Sequence, residues 1–284
     1  MTALSGALIF AGSTGRLSLL WRYRELVWML AWRDIRVRYK HSLLGAAWAI
    51  APPLLTTLIF TFVFGTVVDI EKAKLTGSER IPYALFALAG LVPWTFFANG
   101  LSSAVTSMTA NRPLVTKIYF PREVFPISAI LGAVIDFAVS GLALISLGAW
   151  FHVHGEWTFR LHAALLFIPI IALVQLTFML GLSLLLSMAN LFYRDVGLLF
   201  RSLIQLWMFG TCVVYNLEPS AFWKRALIQL NPMTPIIRAY RDCLFGDRHP
   251  MDAAFGVAAL ISLGTLAIGW WWFRRREFQF AEHV

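Results

Sequence analysis

The sequence predicts an all-α polytopic membrane protein of six transmembrane helices, with an amphipathic helix at the interface before the first of them. Three observations point there. The chain is 284 residues long, 59% hydrophobic and only 14% charged, with a mean hydropathy of +0.70. Soluble domains are about 45–50% apolar and about 25% charged, so a water-facing surface would be short of polar residues. The apolar residues are gathered into runs long enough for the ~20-residue helix that crosses hydrocarbon. These runs lack the alternation of barrel strands, and backbone groups in hydrocarbon must pair within their own segment, so the spans are helical.

The first 16 residues, MTALSGALIFAGSTGR, carry a short apolar stretch with no basic lead-in, and no cleaved signal is expected. Residues 17–42 form the interfacial helix. At 100° per residue, Trp28, Trp32, Ile35 and Tyr39 fall on one side and Arg33, Arg36 and Lys40 on the other, with Leu26, Leu30 and Val37 beside the basic stripe. Rings dipping toward acyl chains and cations toward phosphates suit such a helix. Arg33, Arg36, Arg38 and Lys40 therefore have two open roles: they fix topology, or they attract the diphosphate of a lipid as paired charge.

Six spans follow, at about 43–68, 81–107, 124–150, 161–190, 198–217 and 253–273. The first is interrupted by Pro52 and Pro53, each of which removes a backbone donor and bends the helix. Freed carbonyls are tolerated where they face protein or a wet cavity, so the two prolines mark a candidate inner mouth of a passage. Deep rings occur in the first span (Phe60, Phe62, Phe64) and the fifth (Trp207, Phe209, Tyr215). They either pack against neighbouring helices or line a conduit on which sugar faces stack. Asp136, in the third span, must face protein or water rather than lipid. It is either a pathway group or a tie between helices, with Arg201 or Gln205 as candidate partners. Gln175 and Gln205 invite the same inference more weakly.

The 218–252 connection is long but not polar. AFWKRALIQL (221–230) and MTPIIRAYRDCLF (233–245) are amphipathic enough for two short helices, with Asn231 as N-cap and Pro232 in the first turn. The pair either re-enters the membrane as an outer hairpin or lies on the outer surface. Lys and Arg counts orient the chain. Residues 1–42, 108–123, 191–197 and 274–284 hold seven, three, one and three, against three, one and five in 69–80, 151–160 and 218–252. Both termini are expected inside.

Several function classes are excluded or left unsupported. The net charge of +9 lies between apolar runs, which favours anionic lipid over nucleic acid. Cys212 and Cys243 form no metal spacing or disulfide framework. HVHGE (152–156) offers His152, His154 and Glu156 but no third strong ligand, and no metal is expected. No Lys follows a Gly, so the chain has no phosphate-cradling P-loop and no ATPase of its own. No G-x-S-x-G elbow occurs, and an enzyme is not expected.

Five segments in order, on this six-span frame, resemble the permease subunit of ABC exporters for lipid-linked polysaccharides, of the O-antigen, teichoic-acid and capsule type. They are WRDIRVRYKHSLLGAAWAIAPPLLTTLIFTFVFG (32–65), GLVPWTFFANGLSSAV (90–105), NRPLVTKIYFPREVFPI (111–127), NLFYRDVGLLFRSLIQLWMFGTCVVY (190–215) and LNPMTPIIRAYRDCLFG (230–246). Ala51 departs from the polar or acidic residue that many members carry before the proline. The resemblance implies a homodimer with two separate ATP-binding cassette subunits that hold ATP and Mg, a polyprenyl-linked glycan as cargo, and a bacterial inner membrane. It implies that 111–123, with Arg112, Lys117 and Arg122, is the coupling helix that docks on the ATPase. Asn190 to Asp195, including Arg194, is by the same resemblance the second cytoplasmic turn. Asn231 to Pro235, including Pro232, belongs to the outer re-entrant gate, and the first and fifth spans line the conduit. A drug or small-lipid ABC exporter shares the frame, and a membrane-embedded acyltransferase is a more distant alternative.

Overall fold

A computed structural model of the chain describes residues 21–40, 45, 47–63, 81–117, 120–159, 163–214, 230–246 and 249–277. Phe64, Tyr215 and most of the 221–230 segment lie outside the described residues. Every regular element among them is helical: α1 (Arg24–Tyr39), α2 (Ala47–Phe62), α3 (Tyr83–Ala110), α4 (Arg112–Lys117), α5 (Val124–Val153), α6 (Ile168–Phe192), α7 (Asp195–Gly210), α8 (Met233–Phe245) and α9 (Ala253–Glu277). A 3₁₀ turn, Ala163–Phe167, leads into α6. Among the described residues four helices are long and apolar enough to cross a membrane: α3, α5, α6 with its 3₁₀ entry, and α9. The apolar α2 is shorter. The chain is a polytopic membrane protein.

The centre of the bundle is α3. Its residues Leu85 to Trp94 are buried without interruption, as befits a helix apolar all round. Around it stand α2, α5, α6 and α8. Pro93 breaks the α3 backbone ladder, and its carbonyl accepts a 2.8 Å bond from Gln175 Nε2 on α6. Gln175 is fully buried, so the polar group read from sequence is a tie between helices. Gln205 on α7 is exposed.

Small residues let α6 and α9 touch backbone to backbone. A Cβ added at Gly181 would lie 2.5 Å from the Leu266 amide nitrogen, and one added at Gly269 would collide with the Gly181 carbonyl. Gly264, on the same helix, has open space around it.

Asp136 has different partners from those the sequence suggested. Its carboxylate accepts from the Arg38 guanidinium and, at 2.6 Å, from the Tyr39 hydroxyl, both at the end of α1. Arg201 and Gln205 are exposed on α7 instead. Burial, then the neighbouring carboxylate, pushes Tyr39 up to about 12, so it stays a donor at physiological pH. α5 is 30 residues long, about 45 Å, and Asp136 stands about 18 Å beyond Val124 along it.

α1 runs beside the first half of α5. Val27, Leu30 and Ala31 are buried, and Ile35 and Ala31 face Gly132. Its Trp28 and Trp32 rings are stacked 6.2 Å apart and exposed. The helix thus has a protein face, and Arg36 lies over the Trp32 ring, so its cations and rings are not cleanly separated as the sequence suggested.

Two stability predictions follow from these contacts. Gly181→Leu drives a side chain into α9 and should cost at least about 2 kcal/mol, read as a lower thermal midpoint of the detergent-solubilised protein. Gly264→Ala should cost nothing, and equal losses at both positions would refute the close crossing. In a cycle of Arg38→Ala and Asp136→Ala, the double variant should fall short of the summed single losses by about 1–2 kcal/mol. Strict additivity would show that the pair is not coupled.

Candidate functional site

The described residues hold two polar junctions, one at each end of α7. The first lies where α3 ends, α4 begins and the chain turns from α6 into α7. Asn190 is buried there. Its Nδ2 donates to the Val105 carbonyl at 3.0 Å and to Thr109 Oγ1 at 3.4 Å, while its Oδ1 accepts from the Gly197 amide at 2.8 Å. One side chain therefore joins α3, α6 and the first turn of α7. Gly197 is required by the close approach, since a Cβ there would lie 2.7 Å from Asn190 Oδ1. A cavity of about 420 Å³ opens at this junction, lined by Thr106, Thr109, Arg112, Asn190, Arg194 and Arg201 among others, with no acidic side chain in its wall among the described residues.

Of the residues matched to ATPase coupling, Arg112 and Arg194 share this cavity. Asp195 is exposed beside it, in the first turn of α7. Arg122 precedes α5 and is half-buried, and Lys117 closes α4. Arg33, from α1, reaches the same corner: its Nη2 donates to Asn111 Oδ1 at 2.8 Å and to Asp34 at 2.7 Å. Of the other interfacial cations, Arg38 is held by Asp136, Arg36 lies over the Trp32 ring at 5.5 Å, and Lys40 is exposed.

The second junction is organised by Asn231. Its Oδ1 accepts from Trp207 Nε1 at 3.1 Å and from the Met233 amide at 3.2 Å, and its Nδ2 donates to Thr211 Oγ1 at 2.9 Å. Its side chain thus bonds the first residue of α8, but the helix begins at Met233 with Pro232 at the N-cap. Asn231 is therefore not the cap residue and Pro232 is not in the first turn, both of which the sequence had suggested. Pro232 and Pro235 are buried. Trp207 packs edge-on against Phe97, with ring centroids 5.2 Å apart, so it braces the interior. Phe60 is half-buried against the same core. Phe62 and Phe209 are the exposed rings of the candidate conduit, at 62% and 51%.

Sequence reasoning missed Arg241. Its guanidinium is buried in α8, donates to the Val213 carbonyl and, at 3.5 Å, to that of Cys212, and lies 3.8 Å from the Phe86 ring centroid. Those carbonyls belong to the turn ending α7, where Cys212 has a left-handed φ of 55°. The Tyr83 hydroxyl donates to the next carbonyl, Val214, at 2.7 Å. Gly90 leaves the space: a Cβ there would sit 2.5 Å from the Val213 oxygen and strike the guanidinium. The available signal was Arg241 lying four residues after Ile237, in register with the apolar face of α8.

The two prolines of α2 have local partners. Pro53 is buried and Pro52 exposed. The Ala49 carbonyl, deprived of its donor by Pro53, accepts from Ser140 Oγ at 3.0 Å. Beside it is a polar pocket of about 80 Å³, lined by Arg38, Tyr39, Trp48, Asp136 and Ser140 among others. His152 and His154, by contrast, serve their own turn. His152 Nδ1 accepts from the Phe159 amide at 3.3 Å, and His154 Nδ1 lies 2.8 Å from the Trp150 carbonyl.

Comparison with known proteins matches residues 25–245 to the ABC-2 type transporter model. The chain is 29% identical over 270 residues to an O-antigen export system permease protein RfbA of Myxococcus xanthus, covering 93% of this chain and 97% of that protein. A Klebsiella pneumoniae RfbA is 30% identical, covering 91% and 94%. The polysialic acid transport protein KpsM of Escherichia coli is 24% identical over 250 residues, covering 86% and 91%. With the family model spanning α1 through α8, the chain belongs to the ABC-2 type transporter family.

Proposed function

We propose that this chain is the transmembrane subunit of an ATP-driven exporter that moves a polyprenyl-diphosphate-linked polysaccharide, O-antigen-like, from the cytoplasmic to the outer side of a bacterial inner membrane. The observation that carries this reading is the likeness to O-antigen export permeases along about nine-tenths of the chain. Two such permeases pair with two ATP-binding cassette subunits, which hold the ATP and Mg, while this chain binds no nucleotide. Both termini are cytoplasmic, α2 and α7 are the first and fifth of six spans, and α8 is half of an outer re-entrant hairpin. The end carrying α4 and the α6–α7 elbow also carries Arg274, Arg275 and Arg276 at the close of α9, which agrees with a cytoplasmic face.

The geometry supports a mechanical route. A push from the ATPase on α4 arrives at the Asn111–Arg33 contact and at Asn190, which is bonded directly to the first turn of α7. The far end of α7 is bonded through Trp207 and Thr211 to Asn231, just before α8. Displacing α7 therefore shifts the outer hairpin, and the exposed rings of α2 and α7 give sugars sequence-tolerant stacking surfaces. Export of a drug or a small lipid is the second reading, favoured by the same family frame.

Deleting this chain should remove the glycan from the cell surface and build up its lipid-linked precursor inside. An unchanged surface glycan would eliminate the polysaccharide reading and leave the small-lipid one. Charge reversal of the coupling segment, Arg112→Glu with Lys117→Glu, should lower glycan export at least tenfold and abolish stimulation of the ATPase. Membrane levels of the subunit should be normal. Wild-type export by that double variant would refute the coupling role.

A further inference from the structure

The small polar pocket beside the α2 bend takes no part in that mechanical route, and two of its polar groups are unused within the chain. It lies where the end of α1 meets α2, α3 and α5, and has a volume of about 80 Å³. Asn99, Thr95, Ser140, Tyr39 and Trp48 line it, together with the Arg38–Asp136 pair. Asn99 is exposed, and Trp48 is 53% exposed. Among the described residues, neither the Asn99 carboxamide nor the Trp48 indole N–H has a hydrogen-bond partner. The 28 residues of α3 extend about 42 Å, and Asn99 stands about 24 Å from their start. Wherever a hydrocarbon layer of about 30 Å falls along α3, Asn99 is inside it. An amide there is costly unless something polar meets it.

The chemistry of the wall selects what that is. The Arg38 guanidinium and the Asp136 carboxylate neutralise each other, so the pocket presents no net charge to a phosphate. A hydrocarbon would leave both the amide and the indole N–H unmet. The remaining groups are neutral: a carboxamide that donates and accepts, an indole donor, and three hydroxyls. Those hydroxyls donate within the chain, Thr95 to the Val92 carbonyl, Tyr39 to Asp136 and Ser140 to the Ala49 carbonyl, and their oxygens keep lone pairs for accepting. This set matches the adjacent hydroxyls of a sugar, each of which also donates and accepts. The exposed Trp48 ring offers an apolar surface to the C–H face of a pyranose. At about 80 Å³ the pocket takes one edge of a sugar and leaves the ring against Trp48. We propose that this pocket is a sugar-binding subsite for the cargo, in which Asn99 and Trp48 hydrogen-bond one saccharide unit beside the α2 bend. The assignment rests on the export function proposed above, which supplies the glycan, and adds a place where the chain reads sugar rather than lipid.

The test measures binding to the purified permease–ATPase complex in lipid nanodiscs, where no sugar-headed detergent competes. Two probes are compared: the lipid-linked glycan extracted from cells lacking this chain, and undecaprenyl diphosphate, which carries no sugar. The wild-type complex should bind the glycan-bearing probe more tightly. Asn99→Leu should weaken that binding about fivefold, the loss expected for one neutral hydrogen bond. Trp48→Phe, which keeps a ring but drops the N–H, should do the same, and Trp48→Ala should cost more. Binding of undecaprenyl diphosphate should be unchanged in all three. Both residues are exposed, so unchanged thermal midpoints verify the fold of the variants. Equal losses with the two probes would make the pocket a lipid or diphosphate seat and overturn the assignment. So would glycan binding unaltered by every variant, which would leave the pocket to water. If Asn99→Leu instead changes the number of copies in the complex, the amide meets a second copy and the proposal fails. Surface glycan lost on deletion of the chain, with no sugar-dependent binding, would sink the site and keep the export reading. Surface glycan intact on deletion would sink both.

Discussion

Asp136 and the end of α1 set the geometry on which the rest of this bundle depends. A carboxylate within a long apolar helix cannot face lipid without its charge being matched, and the match comes from Arg38 and Tyr39, about 100 residues earlier in the chain. That contact lays α1 along the first half of α5. Ten residues beyond Tyr39, the Ala49 carbonyl freed by Pro53 is met by Ser140, one turn along α5 from Asp136. The prolines are tolerated because the same helix that anchors the charge supplies the missing donor. A break that would be costly against lipid becomes a bend against a small polar pocket.

α7 is built by the same economy. It is only 16 residues long, it exposes Leu199, Leu203 and Leu206 as well as Arg201 and Gln205, and its bonds to neighbouring elements are concentrated at its ends. Asn190 holds the first turn and Asn231 the last. Each asparagine uses both its acceptor and its donor, so neither leaves a buried amide half satisfied. Arg241 and Tyr83 then take the carbonyls of the turn beyond α7, which includes the strained Cys212. Between these anchors the helix meets α3 and α6 through packing, which yields more readily to sliding than directional bonds do.

Much of the fold was legible because hydropathy and punctuation are local signals. Val124 and Met233 start helices where the sequence placed them, since Pro121 and the Asn231–Pro232 pair interrupt what comes before. Phe245 ends α8 because Gly246 adopts the left-handed conformation that closes a helix. The partners of the polar residues were not legible. Asp136 was recognisable as a group needing a match, yet a helical wheel cannot say which of 24 cations supplies it. Trp207 was read as a packing or a conduit ring, and its bond to Asn231 and its edge-on contact with Phe97 show that it braces the interior. The arginine cavity was hidden for the same reason, because Arg112 and Arg201 are 89 residues apart and meet only in three dimensions.

These tertiary bonds also gather much of the molecule into one stiff block. α3 is buried on all sides, joined to α6 by Gln175 and to α8 by the Arg241 stack, and α6 meets α9 at a backbone contact that admits no side chain. Nothing in that set can shift without breaking a directional bond or opening a void. α1 is fastened to the same block through Asp136 and Asn111. α7 is bonded to this block by directional contacts at its two ends and otherwise meets it through the packing of Phe200, Ile204 and Trp207. On the proposed route a push at α4 would meet this block first, and Asn190 is where the block is bonded to α7. The two asparagines thus bond α7 to its neighbours at either end, Asn190 from α6 and Asn231 from the start of α8.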